Sequence, residues 1–198
     1  MVTNMSNRTI KKKSSHFHVK TALRLEALEQ LTDEINVLDC YHGDGKIYEA
    51  VSKQKKFDLL GIEKNESRSI FKVLRGDNLK IIDEIDLRKF NVIDLDAYTD
   101  CTNLLKKIIP KLTRKTLIIY TMIINRMAGM PKNLIMNEVA INNKIKTITN
   151  KFINEKWAAF LKSLGVETYK EITFSENCFL KKYGYFIVKS CKNIEKMI

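Results

Sequence analysis

The hydrophobic pattern of this chain switches repeatedly between two periods. In VKTALRLEALEQL, Ala22, Leu23, Leu25, Leu28 and Leu31 fall on one helical stripe. Short apolar runs follow: INVLDC (35–40), FDLLGIE (57–63), FKVLRGD (71–77), FNVIDLD (90–96) and TLIIYTMII (116–124). Their brevity and their Ile, Val and Leu content predict strands buried on both faces. Helix-like stretches separate them at 46–55, 65–70, 78–86 and 100–109. That alternation predicts a parallel sheet with helices on both sides. The chain then changes character. Residues 125–148, with Gly129, Pro131 and many Asn, read as a long, partly helical excursion. NKFINEKWAAFLKSLG (150–165) predicts a helix stopped by Gly165, with Trp157 on an apolar stripe beside Phe152, Phe160 and Leu161 and so in the core. VETYKEITF (166–174) and KKYGYFIVKS (181–190) predict an antiparallel hairpin closing the sheet. The fold class is therefore α/β, with a seven-stranded, mostly parallel sheet. The closing hairpin separates it from a nicotinamide-binding Rossmann domain, which continues with a second parallel half.

Composition adds limits. The chain of 198 residues fits one domain, 16–198, preceded by a polar basic arm, 1–15, that contains KKKSS and has no periodicity. No apolar run is long enough to span a membrane, and the N-terminus has no apolar signal core. Cys40, Cys101, Cys178 and Cys191 are scattered without zinc-ligand spacing, which predicts reduced thiols, a cytoplasmic location and no metal site. The formal net charge is +12 and unevenly spread: residues 26–100 are acidic on balance, the arm and residues 101–170 basic. A basic second half suits a polyanion such as nucleic acid. Lys11, Lys12 and Lys13 of the arm, with Arg126 and Lys132 of the excursion, are the candidate phosphate contacts.

Candidate chemistry centres on VLDCYHGDGKIYEAV (37–51), a strand, a turn with two glycines and a helix. Parallel sheets bind ligands beyond the carboxyl ends of their strands. Gly43 and Gly45 permit positive φ and a close ligand approach. Asp39, ending the strand, fits a ligand that carries positive charge better than a phosphate. Glu63 ends the second strand, at the spacing of an acid that takes ribose hydroxyls. Asp77 ends the third strand, and Asp94 and Asp96 end the fourth. Any one of these acids is an ordinary turn former or helix cap. Four successive strands ending in acids, beside a glycine turn, point to a ligand site.

In this arrangement the chain, over roughly residues 20–190, resembles the class I S-adenosylmethionine-dependent methyltransferases. The resemblance implies a Rossmann-like methyltransferase fold and S-adenosylmethionine as cofactor. It implies that Asp39, Gly43 and Gly45 hold the methionine part, Glu63 the ribose, and Asp77 with Asn78 the adenine. His42 in the turn and Asp94 are further candidate contacts. DCYHGDG carries Tyr41 where the common D-x-G-x-G-x-G has its first glycine, and is similar to the DLFAGSG of ribosomal RNA guanine-N2 methyltransferases. DLDAYT (94–99) resembles the DLDPFG of tRNA guanine-N2 methyltransferases, with Ala97 and Thr99 in place of Pro and Gly. The implied activity is N-methylation of an exocyclic base amine of RNA or DNA. Asp96 would accept one amine N–H and Tyr98 would stack on the base.

Rival readings stay open. A small-molecule or protein methyltransferase of the same fold accommodates the motifs. So does a non-catalytic nucleic-acid-binding accessory protein, favoured by Ala97 and Thr99. Cytosine C5 methylation needs a thiolate in a Pro-Cys setting, which neither Cys40 nor Cys101 has. Ribose methylation in the Lys-Asp-Lys-Glu style needs a lysine in the first helix, where Arg24 stands in the closest register and Lys20 is the only lysine. His16 and His18 suit substrate contact or a solvated arm equally. With no separate recognition domain evident, substrate choice would rest on short loops or on a protein partner that supplies specificity.

Overall fold

The computed structural model describes residues 16–97, 101–125, 150–166, 168–176 and 179–189. The arm at 1–15, with Lys11, Lys12 and Lys13, lies outside them. So do Tyr98, Thr99, Arg126, Lys132 and the rest of the excursion.

Helix α1 (His16–Leu28) leads into strand β1 (Asn36–Asp39), helix α2 (Lys46–Ser52), and strands β2 (Asp58–Glu63) and β3 (Lys72–Arg75). Then come α3 (Asn78–Glu84), β4 (Val92–Asp96), α4 (Thr102–Ile108), β5 (Thr116–Asn125), α5 (Asn150–Ser163), β6 (Tyr169–Glu176) and β7 (Phe179–Val188). The seven strands form one sheet in the order β3-β2-β1-β4-β5-β7-β6. The first five are parallel, and β7 runs antiparallel between β5 and β6. The predicted fold class and closing hairpin are both present.

Side-chain alternation sorts the core into two layers. Val37, Val92, Leu117 and Ile119 face α1 and α2, meeting Leu23, Ala27, Tyr48 and Val51. Leu38, Ile93, Leu95 and Ile118 face α3, α4 and α5, meeting Ile82, Leu104, Trp157 and Leu161. Trp157 is fully buried, as its stripe predicts. It donates to Tyr120 Oη at 3.2 Å, and Tyr120 donates to Glu171, which also pairs with the buried Lys182. Gly184 makes this polar cluster possible, because a Cβ there would lie 2.5 Å from Tyr120 Oη.

Two details depart from the sequence expectation. Residues 65–70 are not helical; the chain crosses from β2 to β3 in irregular backbone. Serine side chains there bond to backbone and neighbouring groups, which competes with helix formation. His16, Phe17 and His18 are not part of an arm. They open α1, where His16 packs edge-on against Phe174 and bonds Tyr183 Oη at 3.0 Å.

Helix α1 docks through charge as well as through its apolar stripe. Arg24, with its side chain 2% exposed, spans both Asp94 oxygens, at 2.7 Å from Nε and 3.0 Å from Nη2. Tyr48 Oη of α2 donates to the same carboxylate at 2.7 Å. Burial, which outweighs the opposing pull of the Arg24 guanidinium and is reinforced by Asp39 and Asp96, holds Asp94 up at about 7. Truncating Arg24 leaves that carboxylate buried and uncompensated. Arg24→Met is expected to cost about 3–5 kcal/mol, and Arg24→Met with Asp94→Leu to recover most of it. Without the guanidinium, Asp94 stays protonated in the folded state to a pH well above its unfolded value of about 3.9. Stability then falls as pH rises through that window, so Arg24→Met should be less destabilised at pH 5 than at pH 8. Denaturant titrations at the two pH values measure this.

Candidate active site

The carboxyl ends of β1, β2 and β4 open into a cavity of about 420 Å³. Its walls include Asp39, Gly43, Gly45 and Glu63, with Lys20 of α1 and Asp96 of β4. After Asp39 the backbone leaves the sheet: Cys40 N–H still bonds Asp94 O at 2.9 Å, and His42 N–H bonds Ile62 O at 3.1 Å. Gly43 (φ 56°) and Gly45 (φ 72°) then turn the chain through left-handed conformations into α2. At Gly43 only the backbone angle demands glycine, since a Cβ would meet nothing within 4 Å. At Gly45 space demands it too, since a Cβ would lie 2.5 Å from Ser69 Oγ and 2.6 Å from His42 Nε2.

Glu63 holds this turn from the neighbouring strand. Its Oε2 accepts from Gly43 N–H at 2.9 Å, and its Oε1 from Asn65 N–H at 3.0 Å. Asp39 holds the turn from inside, accepting from Tyr41 N–H at 3.2 Å and bonding His42 Nδ1 at 2.9 Å. Tyr41 and His42 both line the cavity. The His42 ring occupies the space over Gly61 of β2, where a Cβ would lie 2.5 Å from its Cγ.

On the β4 side, Lys20 Nζ reaches both oxygens of Asp96, at 2.6 and 2.8 Å, and Arg24 Nη2 lies 3.2 Å from Oδ2. Burial alone would raise Asp96; Arg24 and then Lys20 outweigh it and hold the carboxyl below its usual range. A carboxylate so held is a hydrogen-bond acceptor and a weak base. Thus Lys20, not Arg24, stands over the acid that ends β4, while Arg24 reaches two residues deeper to Asp94.

The structure brings together Asp39, Tyr41, His42, Gly43, Gly45, Glu63 and Asp96. It separates three other candidates from them. Asp94 is fully buried beneath Arg24 and Tyr48 and does not line the cavity, so it is corrected from a ligand contact to a structural ion-pair partner. Asp77 is an exposed helix cap whose side chain accepts from Leu79 N–H at 2.9 Å. Neither it nor Asn78, the first residue of α3, lines the cavity. Cys40 and Cys101 are buried and outside any disulfide, and burial pushes the Cys40 thiol well above its ordinary value, which does not suit it as a nucleophile. Among the described residues no group of His, Cys, Asp or Glu could hold a metal ion, and no helix is long and apolar enough to cross a membrane.

Sequence reasoning weighed Lys20 and Arg24 only for ribose methylation, and it overlooked Gly61 and Ser69 as site builders. One signal was present: Arg24 lies on the buried stripe of α1, between Val19 and Leu23 on one side and Ala27 and Leu28 on the other. A charged residue at such a position needs a buried partner.

No protein-family model matches the chain, and no curated protein matches its sequence. Solved structures do match in fold. A SAM-dependent methyltransferase from Archaeoglobus fulgidus is 18% identical over 83% of this chain and 75% of its own, with a TM-score of 0.51. The plantazolicin methyltransferase BpumL, solved with SAH, is 16% identical over 88% of this chain and 83% of its own, with a TM-score of 0.52. TYW2 from P. horikoshii, solved with MeSAdo, is 13% identical over 91% of this chain and 66% of its own, with a TM-score of 0.54. The fold is that of the class I SAM-dependent methyltransferases.

The packing of His42 over Gly61 gives a direct test of the site's geometry. Gly61→Ala should displace the ring and cost about 1–3 kcal/mol by overpacking. A shift in the urea midpoint without a change in slope would register it.

Proposed function

We propose that the cavity binds S-adenosylmethionine and that the protein is a methyltransferase. The observation that carries this reading is the convergence of Asp39, Glu63 and the positive-φ Gly43 and Gly45 on one cavity at the strand ends. The fold neighbours solved with SAH and MeSAdo support it.

The residues present fit that cofactor. Each Glu63 oxygen accepts one backbone N–H, which leaves lone pairs for ribose hydroxyls. Four carboxylates (Asp39, Asp44, Glu63, Asp96) face three cations (Lys20, Arg24, Lys46) around the cavity, a balance that favours a ligand with net positive charge. When bound, S-adenosylmethionine supplies a methyl carbon already activated by its sulfonium. The chain's own contribution is then alignment of donor and acceptor in a preorganised electrostatic site.

For the acceptor, we propose an exocyclic base amine of RNA or DNA. The similarity of DLDAYT to the acceptor motif of amine-methylating enzymes supports it, as does the net charge of +12. Asp96 accepts one amine N–H and holds the nitrogen lone pair toward the methyl group, while Tyr98 stacks on the base. For this, Lys20 must yield part of its hold on Asp96. The complete engagement of Asp96 by Lys20 and Arg24 favours a second reading, an accessory protein that binds cofactor and nucleic acid without turnover.

Calorimetry with SAH tests the cofactor. Wild type should bind, and Glu63→Ala should weaken binding about 10- to 100-fold, the worth of hydrogen bonds to a charged group. Absence of binding to wild type rejects the proposal. Transfer of labelled methyl groups to total RNA, DNA and protein tests the acceptor. Asp96→Ala should abolish transfer and spare SAH binding; binding without transfer in wild type establishes the accessory reading. Nucleic-acid affinity should fall steeply between 50 and 200 mM salt if phosphate contacts dominate, and a flat response argues against a nucleic-acid acceptor.

A further inference from the structure

Three consecutive residues of the β2–β3 connection are laced onto three consecutive residues of the glycine turn. Ser67 Oγ donates to Gly43 O at 2.6 Å. Arg68 N–H points to Asp44 Oδ1 at 3.4 Å. Ser69 Oγ lies 2.6 Å from His42 Nε2. The third contact continues inward, because His42 Nδ1 lies 2.9 Å from Asp39 Oδ2, with the imidazole side chain fully buried and Asp39 only 7% exposed.

The chemistry of the partners sets the direction of this chain of bonds. A carboxylate only accepts, so the ring hydrogen is on Nδ1. In the neutral ring Nε2 then takes the hydroxyl hydrogen of Ser69, whose oxygen receives Phe71 N–H at 3.1 Å. Ser69, His42 and Asp39 stand in the connectivity of a hydrolytic triad, but the serine is not placed to attack a substrate. Its oxygen abuts Gly45, where even a Cβ would lie 2.5 Å away, and it does not line the cavity. The glycines at 45 and 61 both leave room for the same imidazole. The chain has thus given up two side chains, one in the turn and one in β2, to house a single buried ring.

We propose that His42 is a positioning residue, the centre of a Ser69–His42–Asp39 relay that locks residues 67–71 against the glycine turn and so fixes the cofactor-facing wall. The inference rests on the cofactor reading given above. It assigns to Ser69, which does not itself line the cavity, an effect on what the cavity binds. Ser69 acts by orienting His42, His42 by orienting Asp39, and the Ser67 bond carries the same constraint to Gly43, which Glu63 grips from the other side.

Two kinds of measurement test the relay, one with SAH and one without. Nitrogen-15 NMR of the imidazole should show His42 protonated on Nδ1 in wild type, and its Nε2 resonance should move in Ser69→Ala. Amide hydrogen exchange at 67–71 should accelerate at least 10-fold in Ser69→Ala and in His42→Ala. By calorimetry Ser69→Ala should bind SAH about 10-fold more weakly than wild type, the size of one lost buried hydrogen bond. An Nε2–H tautomer in wild type, or an Nε2 resonance or 67–71 exchange unmoved by Ser69→Ala, overturns the relay. Equal SAH affinity in Ser69→Ala and wild type overturns its role in binding. Failure of wild type to bind SAH rejects the cofactor reading instead, while the NMR and exchange results still decide whether the relay exists.

Discussion

Carboxylates crowd the ends of two neighbouring strands, and the architecture around the cavity follows from neutralising them. Asp39 and Asp94 are register partners on β1 and β4, and Asp96 projects from the same face of β4 two residues on. Three acids this close cannot be buried without cations. Helix α1 brings two, Lys20 and Arg24, one turn apart on the same face. Burial works against the charge of Arg24, yet Asp94 and Asp96 hold its pKa above the ordinary value. The helix is thus fastened to the sheet at the place where the ligand cavity begins.

That fastening divides the acids by depth. Asp94, roofed by Arg24 and Tyr48, belongs to the core, whereas Asp96 meets Lys20 at the cavity wall. A step of two residues along one strand changes a structural carboxylate into one that can meet a ligand. The same face carries Tyr183 of β7, with Lys20 Nζ 5.7 Å from its ring, so the antiparallel hairpin packs against the lysine that holds Asp96 as well as closing the sheet.

This depth effect explains how much of the site was legible in the sequence. The apolar runs and their alternation with helices determine the sheet, because burial on both faces leaves a continuous signal. The turn at 39–45 and Glu63 were legible for a similar reason: glycine spacing and strand-end acids are local features. Asp94 and Asp77 look identical to Asp39 and Glu63 in one dimension, yet one is roofed by α1 and the other caps α3. Telling them apart needs the position of a helix that sequence periodicity does not supply. The segment 65–70 was misread for a different reason. Its serines bond to a turn more than twenty residues away in the chain, and such side-chain stitches override the local pattern.

Three of the carboxylates that face the cavity, Asp39, Glu63 and Asp96, already have close partners within the chain. Asp39 has His42 and the Tyr41 amide, Glu63 has two backbone amides, and Asp96 has Lys20 and Arg24. Where a bound group must displace such a partner, binding is an exchange, and its free energy is the difference between two satisfied states. Such a site discriminates strongly against ligands that bring no donor or cation, because they leave a desolvated carboxylate worse off than before. It also places the two halves of the cavity under different rules. At Glu63 a carboxylate with spare lone pairs adds bonds without giving any up. At Asp96, where two cations already sit, any group that bonds to the carboxylate does so only by displacing part of an ion pair.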